Sequence, residues 1–421
     1  MNTGGSAAIA ARLRAVRPRA LAALTRMLRD LDLAEDALQD ASLAALDTWS
    51  RNGIPRDPLA WVLTVARNRA RDALRRRQRV DDTPAEELLE AGLGASDRDI
   101  EAEEVQALDE AVYKDDVLRL MFMCCHTELS PTDQLALALK VIAGLRVEEI
   151  ARAFLVSPRA MEQRITRAKK RAGAVAAKLD APSLAERAAR LDAVAAMIYL
   201  MFNEGYQTRG GEAPIRVDLC AEAIRLGRLL VSLFPGQPEA LGLLALMLLQ
   251  HSRRSGRTDG EGQLVPLDRQ VRSCWDRPMI DEGTVLVEKA LRHRQPGPYQ
   301  VQAAIAAVHC AAHRAEDTDW AEIERLYAAL MQIQPSAVVA LNHAVAVWKL
   351  EGAEAALERL AAIEDELGDY LHFQSTRAAL LAEAGRMPEA VAAYRRALGL
   401  GPNKAEEAHI LQRLAEIGEK N

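Results

Sequence analysis

Residues 58–79 have the sequence PLAWVLTVARNRARDALRRRQR, which combines an apolar stripe with a face of arginines. Apolar side chains recur at helical spacing from Leu59 to Leu74, so one face of a helix can be buried. Asp57 and Pro58 suit the cap and the first turn. The other face carries one acid, Asp72, and seven arginines: Arg67, Arg69, Arg71, Arg75, Arg76, Arg77 and Arg79. Such a helix either binds a polyanion, with Trp61 as a stacking surface, or is a solvated basic face, and the stretch alone leaves both open.

The composition of the whole chain predicts an all-α protein. Its 421 residues are 49% hydrophobic but only 4% aromatic, with many Ala and Leu residues and few alternating β-branched runs. This length suggests about three domains. The net charge of −6 is unevenly distributed, since residues 81–116 contain fourteen acids against two bases. We therefore expect an acidic flexible linker over residues 81–111, and the overall charge does not exclude nucleic acid as a partner.

The cysteines give no sign of a metal site or a disulfide framework. The sequence contains no CxxC pair, and the five cysteines lie on apolar helical segments: Cys124, Cys125, Cys220, Cys274 and Cys310. No run of 18 apolar residues and no signal-peptide core is present. We expect a cytoplasmic protein with no metal, no cofactor and no membrane partner.

Residues 30–49 predict a helix with an apolar core face and an acidic outward face. Glu35, Asp36, Gln39 and Asp40 share that outward face near the helix start. Acids in a first turn favour the helix dipole, which accounts for part of the pattern. The same cluster is also a plausible docking surface for a basic partner helix. The turn-rich sequence RNGIPRDP, residues 51–58, ends this element.

Residues 143–173, AGLRVEEIARAFLVSPRAMEQRITRAKKRAG, predict a helix-turn-helix. A short helix from Val147 is followed by a tight turn at 155–157, and Ser157 and Pro158 suit the cap and first turn of a second helix. Met161 and Ile165 face inward. The outward side has one glutamine, Gln163, and is otherwise basic, with Arg159, Arg164, Arg167, Lys169, Lys170 and Arg171. The second helix of this motif enters the major groove of DNA, and the alternative is a plain helical hairpin.

These motifs together resemble an alternative sigma factor of the sigma-70 family, extracytoplasmic-function (ECF) type, over residues 9–175. AEDALQD (34–40) is similar to the polymerase-binding part of region 2, and PLAWVLTVARNRARDALRRR (58–77) to regions 2.3 and 2.4. Residues 129–171 are similar to region 4. Two separate modules in the family's order make the resemblance specific.

The resemblance implies three sites on this chain. A surface for the largest catalytic subunit of core RNA polymerase would consist of Leu33, Glu35, Asp36, Gln39 and Asp40. A surface for recognising and opening the −10 element would consist of Asn52, Arg56, Trp61, Arg67, Asn68, Arg71, Asp72 and Arg75, with the loop 52–57 capturing a flipped base. A surface for the −35 element would consist of Ser157, Arg159, Gln163, Arg164, Arg167, Lys170 and Arg171. Ala160 and Met161 stand where Thr-Val is commoner in the family.

The chain continues for about 240 residues beyond these modules. An apolar helix over 184–205 ends in the sequence NEGY, with Gly205 as its expected stop, and a long polar stretch over 251–277 contains DRQVRSCWDR. From about residue 284, helical pairs recur every 34 residues with the spacing of a tetratricopeptide (TPR) repeat. These features resemble an ECF subgroup whose C-terminal extension is thought to control the sigma factor. Candidate regulatory residues are Asn203, Glu204, Gly205, Tyr206, Asp268, Arg269, Arg272 and Trp275.

The sequence favours a sigma factor that regulates itself through its TPR extension and is not an enzyme. We expect region 2 over 1–80, the linker over 81–111, region 4 over 112–180, a helical extension over 181–283 and TPR-like repeats over 284–421. The expected partners are core polymerase, promoter DNA, the chain's own sigma domains and a protein ligand of the TPR face. The alternative is a DNA-binding regulator with a TPR scaffold that does not enter polymerase. An enzyme built from Glu204, His251, Asp268 and Asp276 is disfavoured, because no nucleophile elbow, phosphate loop or HExxH motif accompanies them.

Overall fold

The computed structural model describes residues 3–28, 30–78, 110–126, 128–154, 156–176, 184–206, 216–257, 265–402 and 404–418. Within these ranges the chain is helical, with short 3₁₀ turns and no strand, which confirms the predicted all-α class. The predicted acidic linker, 81–111, lies almost wholly outside them. The chain divides into two compact units, Met1–Leu200 and Met201–Asn421, and the boundary falls inside the helix Leu184–Tyr206.

The first unit contains two groups of helices that pack on one another. The group of α1, α2 and α3 is followed by a group from α4 to α7, and α1 also contacts α4. The helices are α1 (Thr3–Leu28), α2 (Leu31–Asn52), α3 (Pro58–Gln78), α4 (Glu110–Cys124), α5 (Pro131–Val141), α6 (Val147–Ala153), α7 (Pro158–Ala176) and the first part of α8 (Leu184–Tyr206). The chain therefore brings both predicted DNA-binding modules into a single compact unit.

The predicted helix starts are confirmed at two positions that matter for the site. Asp57 Oδ1 accepts a hydrogen bond from the backbone N–H of Ala60 at 3.0 Å, which caps α3. Ser157 Oγ accepts from the backbone N–H of Ala160 at 3.3 Å, which caps α7 one residue before Pro158. Both caps fix where a basic helix begins.

Helices α6 and α7 form the predicted helix-turn-helix. Ile150 and Ala151 of α6 and Met161 and Ile165 of α7 are buried at 5% exposure or less, so the inner faces pack as the pattern predicts. The predicted turn includes Leu155, which lies outside the described residues.

The second unit is a series of helices, most of which pack on their neighbours along the chain. The apolar helix α10 is buried on all sides and contacts α9, α11 and α12. After the end of α8 the helices are α9 (Arg216–Leu233), α10 (Pro238–His251), α11 (Arg277–Leu291), α12 (Pro298–Ala311), α13 (Trp320–Ile333), α14 (Ala337–Glu351), α15 (Ala353–Ala361), α16 (Glu364–Leu367), α17 (Leu371–Glu383), α18 (Met387–Gly399) and α19 (Lys404–Gly418). Within the described part of this unit, four 3₁₀ turns lie at Arg254–Gly256, Leu267–Arg269, Arg272–Cys274 and Ala315–Asp317.

The 34-residue periodicity corresponds to two stacked hairpins, α14–α15 and α17–α18. Ala344 and Ala378 are both buried at equivalent places in the first helix of each hairpin, and Leu360 and Tyr394 are both buried in the second. This is the TPR-like arrangement that the sequence predicts. One expectation is wrong: α8 does not stop at Gly205 but includes it and Tyr206.

Candidate functional site

Helix α3 has the expected buried apolar face and the expected basic face. Val62, Ala66 and Ala70 are buried at 1% exposure or less. Trp61 is half-buried, because its ring packs edge-on against the buried ring of Trp49 at 5.3 Å between centroids, so only part of it is open for stacking. Of the predicted −10 residues, Asn52, Arg56, Asn68, Asp72 and Arg75 are exposed, whereas Arg67 and Arg71 are half-buried. The side chains of Arg76 and Arg77, and the whole of Arg79, lie outside the described residues.

The acidic start of α2 is only partly open to solvent. Asp36, Gln39 and Asp40 are exposed. Leu33 is 5% exposed and belongs to the core, because Asp30 caps the helix and turns that position inward. Leu33 therefore offers no surface to a partner in this structure, which corrects that part of the predicted docking surface. Glu35 has a side chain only 11% exposed.

Two cations account for the burial of Glu35: Arg17, which no sequence motif singled out, and Lys169, which was expected on the outward side of α7 but has a side chain only 18% exposed. Arg17 of α1 donates to Glu35 Oε1 at 3.2 Å, and Lys169 of α7 forms an ion pair with Glu35 Oε2. Lys169 Nζ also lies 3.0 Å from Asp32 Oδ1. Burial opposes the charged form of Lys169, but Glu35 and Asp32 outweigh it and raise the pKa of the ammonium above its usual value. Ion pairs of Lys169 thus connect helix α7 to the acidic start of α2.

The outward side of α7 is a cationic surface beside a polar cavity. Of the predicted −35 residues, Ser157, Arg159, Gln163, Arg167, Lys170 and Arg171 are exposed. Arg164 is half-buried and lies 3.7 Å from Asp133. A cavity of about 260 Å³ is lined by Ser130, Thr132, Asp133, Arg164, Arg167 and Arg171. Three guanidinium groups around a polar hollow suit a phosphate, because each planar guanidinium can donate paired N–H bonds to the anionic oxygens.

In the second unit, two separate sequence segments meet in one arginine–aromatic cluster, formed by Tyr206, Arg253, Arg257, Arg272 and Trp275. Arg253 donates to the Tyr206 hydroxyl at 3.0 Å. Arg257 donates to the Tyr206 backbone oxygen at 2.8 Å, and its guanidinium lies 3.6 Å from the ring centroid. The buried Trp275 ring faces Arg272 at 5.2 Å and Arg253 at 5.9 Å. The cluster joins the NEGY segment to the DRQVRSCWDR segment through two arginines that were not predicted candidates.

The other candidate regulatory residues lie elsewhere. Asp268 and Arg269 are exposed on a 3₁₀ turn that contacts the turn Ala315–Asp317. Asn203 is half-buried and Gly205 buried within α8, while the side chain of Glu204 lies outside the described residues.

Two residues of the disfavoured enzyme hypothesis have structural roles in the fold. Asp276 Oδ1 accepts from the backbone N–H of Met279 at 3.3 Å and so caps α11, and its other oxygen accepts from Arg254 at 2.8 Å. His251 is buried, and burial together with the nearby charge of Arg254 lowers its pKa to about 4. Among the described residues, no group of three His, Cys, Asp or Glu side chains is placed to hold a metal ion.

Comparison with known proteins assigns the first unit to a family. The model for sigma-70 region 2 matches residues 13–80, and the model for sigma-70, region 4 matches residues 119–171. The RNA polymerase sigma factor CarQ of Myxococcus xanthus is 30% identical over 150 residues, which cover 36% of this chain and 78% of CarQ. The chain belongs to the sigma-70 family of sigma factors. The matched regions contain all of the predicted polymerase- and DNA-facing residues, and the ECF resemblance is confirmed.

The similarity to other proteins continues into the second unit. A family of unknown function (DUF6596) matches residues 190–291, which include the whole arginine–aromatic cluster. "Uncharacterized protein R00370" of Rhizobium meliloti (strain 1021) is 51% identical over 401 residues, 95% of this chain and 94% of that protein. Among solved structures, yeast Tom70 aligns with a TM-score of 0.38 at 12% identity, covering 94% of this chain and 81% of its own. No helix in the described ranges is both long and apolar enough to cross a membrane.

Proposed function

We propose that this sigma factor binds core RNA polymerase through the exposed acids of α2 and directs promoter recognition and opening through α3 and α7. The observation that carries the proposal is the pair of basic helices, one in each sigma region, each with a buried apolar face and an exposed cationic face. A single basic helix face is commonly only solvated. Two basic helices in the order of the family are typical of a protein that contacts DNA at two separate sites.

The two basic helices have different tasks in this proposal. On α3, Arg67 and Arg71 supply phosphate contacts, and the exposed residues Asn52 and Arg56 flank the loop that receives an unstacked base at the −10 element. Trp61 is half-buried and offers the exposed part of its ring there. On α7, the exposed side chains of Arg159, Gln163 and Lys170 enter the major groove at the −35 element. The polar cavity lined by Arg164, Arg167 and Arg171 holds a backbone phosphate.

Charge reversal on α2 tests the polymerase contact. The double variant Asp36→Arg/Asp40→Arg changes two exposed acids and leaves the ion pairs of Glu35 intact. The matched control, Glu288→Arg/Glu358→Arg, reverses two exposed acids of the second unit. We expect the first variant to lose core binding by at least about tenfold, together with run-off transcription, and the control to keep both.

The outcome also decides between the two functions that the sequence left open. Full transcription by Asp36→Arg/Asp40→Arg would contradict the proposed docking surface. A chain that binds DNA but never binds core polymerase would instead be a DNA-binding regulator with a TPR-like scaffold.

We also propose that the extension regulates the sigma regions, through an intramolecular contact or a protein ligand of the hairpin array. What supports this is the combination of stacked hairpins, which present binding surfaces in other solenoids, with the arginine–aromatic cluster in the DUF6596 segment. A chain ending at Leu200 keeps the part of α8 that belongs to the first unit. Higher run-off transcription from this chain than from the full chain indicates inhibition, lower transcription indicates that the extension is required, and equal output contradicts regulation.

A further inference from the structure

We infer that Lys169 is an internal latch, which holds regions 2 and 4 together and occupies the acids at the start of α2 until core polymerase displaces it. The polymerase step rests on the function proposed above. The latch itself rests on contacts within the first unit.

The latch joins residues that are far apart in the sequence. Lys169 lies 134 residues from Glu35 and 137 from Asp32, yet its ammonium contacts both carboxylates. The side chains of Lys169 and Glu35 are 18% and 11% exposed. Solvent screens such a pair less than a surface pair, and removing one of the two charges leaves the other buried with one partner fewer.

Further polar contacts between the same two groups of helices support this arrangement. Arg26 of α1 pairs with Asp116 of α4 at 2.7 Å, and the carboxylate of Asp116 is 7% exposed. Arg17 donates to the backbone oxygen of Lys140 at 3.5 Å while also bonding to Glu35. Interfaces between domains that move relative to one another are more polar than permanent interfaces, and these pairs add polar contacts of that kind.

The closed arrangement is too small to reach both promoter elements. Elements centred at −10 and −35 are about 85 Å apart along B-DNA, at about 3.4 Å per base pair. A compact unit of about 200 residues has a radius of gyration near 17 Å and is roughly 45 Å across. The 31 residues from 79 to 109 can span about 100 Å when fully extended. Binding both elements therefore requires α7 to move away from α2, which breaks the contacts of Lys169.

The position of Lys169 on α7 explains how it serves the latch without competing for DNA. At about 100° per residue it lies about 40° from the buried Ile165 and about 160° from the exposed Arg167 and Arg171. The latch therefore leaves the DNA-facing side chains of α7 exposed. What it blocks is the start of α2 and the separation of the two regions.

A distance measurement on the full chain tests the latch without polymerase. Nitroxide labels at exposed Leu43 of α2 and exposed Glu162 of α7, both changed to Cys in a Cys274→Ser background, report the separation of the helices. We expect a short, narrow distance distribution for the parent and for Lys169→Arg, which keeps the charge. Lys169→Met keeps the aliphatic stem but not the charge, and we expect its long-distance population to rise about tenfold. The matched control Lys289→Met, at an exposed position of α11, should leave the distribution unchanged.

The same variants in a core-polymerase binding assay test the competition. We expect Lys169→Met to bind core about tenfold more tightly and Lys289→Met to match the parent. An unchanged distance distribution in Lys169→Met overturns the latch. Longer distances with unchanged core affinity overturn the competition for the acids of α2. If no chain, including the parent, binds core, the proposed function fails, and the distance measurement still decides the latch.

Discussion

Replacing Arg272 with methionine tests whether the arginine–aromatic cluster holds the extension together. The guanidinium of Arg272 donates to the backbone oxygens of His309 at 2.7 Å and Ala312 at 3.0 Å, and to Thr318 Oγ1 at 2.9 Å. It also lies 5.2 Å from the Trp275 ring centroid. Methionine keeps the aliphatic stem but supplies no donor, so three oxygens lose a partner. At about 1 kcal/mol net per hydrogen bond the loss is about 3 kcal/mol, which lowers the melting temperature of a unit of this size by roughly 6–12 °C.

Thermal unfolding followed by tryptophan fluorescence measures this loss, because Trp275 lies inside the cluster. Arg269→Met is the matched control, since Arg269 is exposed on the preceding 3₁₀ turn. A surface change of that kind should cost less than about 0.5 kcal/mol. Equal losses in the two variants, or no loss in Arg272→Met, would refute a structural role for the Arg272 hydrogen bonds.

Three further predictions concern the two units separately. Met161→Ala removes a fully buried side chain of the helix-turn-helix and should cost about 2–5 kcal/mol in urea unfolding and abolish −35 binding in a footprint, whereas intact binding would contradict the motif. Burial and nearby arginines lower the pKa values of His251 and His309 to about 4. The unfolded chain, with histidine pKa values near 6.5, therefore takes up protons before the folded chain does as the pH falls. The free energy of unfolding of the second unit is highest above pH ~6.5 and decreases as the pH drops toward ~4, by on the order of 3 kcal/mol per histidine. An unfolding midpoint that does not change across this pH range would contradict the assignment. Gly144 and Gly53 both have positive φ, but only at Gly144 would a β-carbon meet a side chain, 2.5 Å away. Gly144→Ala should therefore destabilise the first unit by about 1 kcal/mol more than Gly53→Ala in the same assay.

Local signals in the sequence predicted the basic helices well, because a helix cap is satisfied by residues a few positions away. The side-chain oxygens of Asp57 and Ser157 each accept a bond from a backbone N–H three residues on, as their positions before proline predicted. The inward positions of α7 followed from periodicity for the same reason. The 34-residue repeat has a physical counterpart in the structure: Leu360 and Tyr394 are 34 residues apart and both buried, since equivalent positions of stacked hairpins face the same interior.

Contacts between distant segments were not predictable from periodicity, which assigns residues to a helix face but does not say what packs on it. Glu35 was expected to face a partner beside Asp36, yet Arg17 and Lys169 enclose it. Tyr206 and Trp275 were separate candidates, and only the fold shows that Arg253 contacts both. In each case the sequence pattern did not show which residue from a distant segment packs on the helix face. These contacts are made by arginines and lysines, whose side chains are long enough to bridge separate helices.

The arrangement of charge around Glu35 explains how a latch can open without unfolding the unit. Removing the single partner of a buried charge costs about 3–5 kcal/mol, because the remaining charge is uncompensated. Glu35 has two cationic partners, and one of them, Arg17, lies on α1 in the same group of helices, so it stays beside Glu35 when α7 moves away. When Lys169 leaves, Glu35 keeps Arg17, so the cost of opening is smaller than for a lone pair. A basic surface on a partner can then take the place of Lys169 beside the same carboxylates. The ion pairs lost within the chain are replaced by ion pairs to the partner, so the free-energy change of the exchange is small and the exchange is reversible.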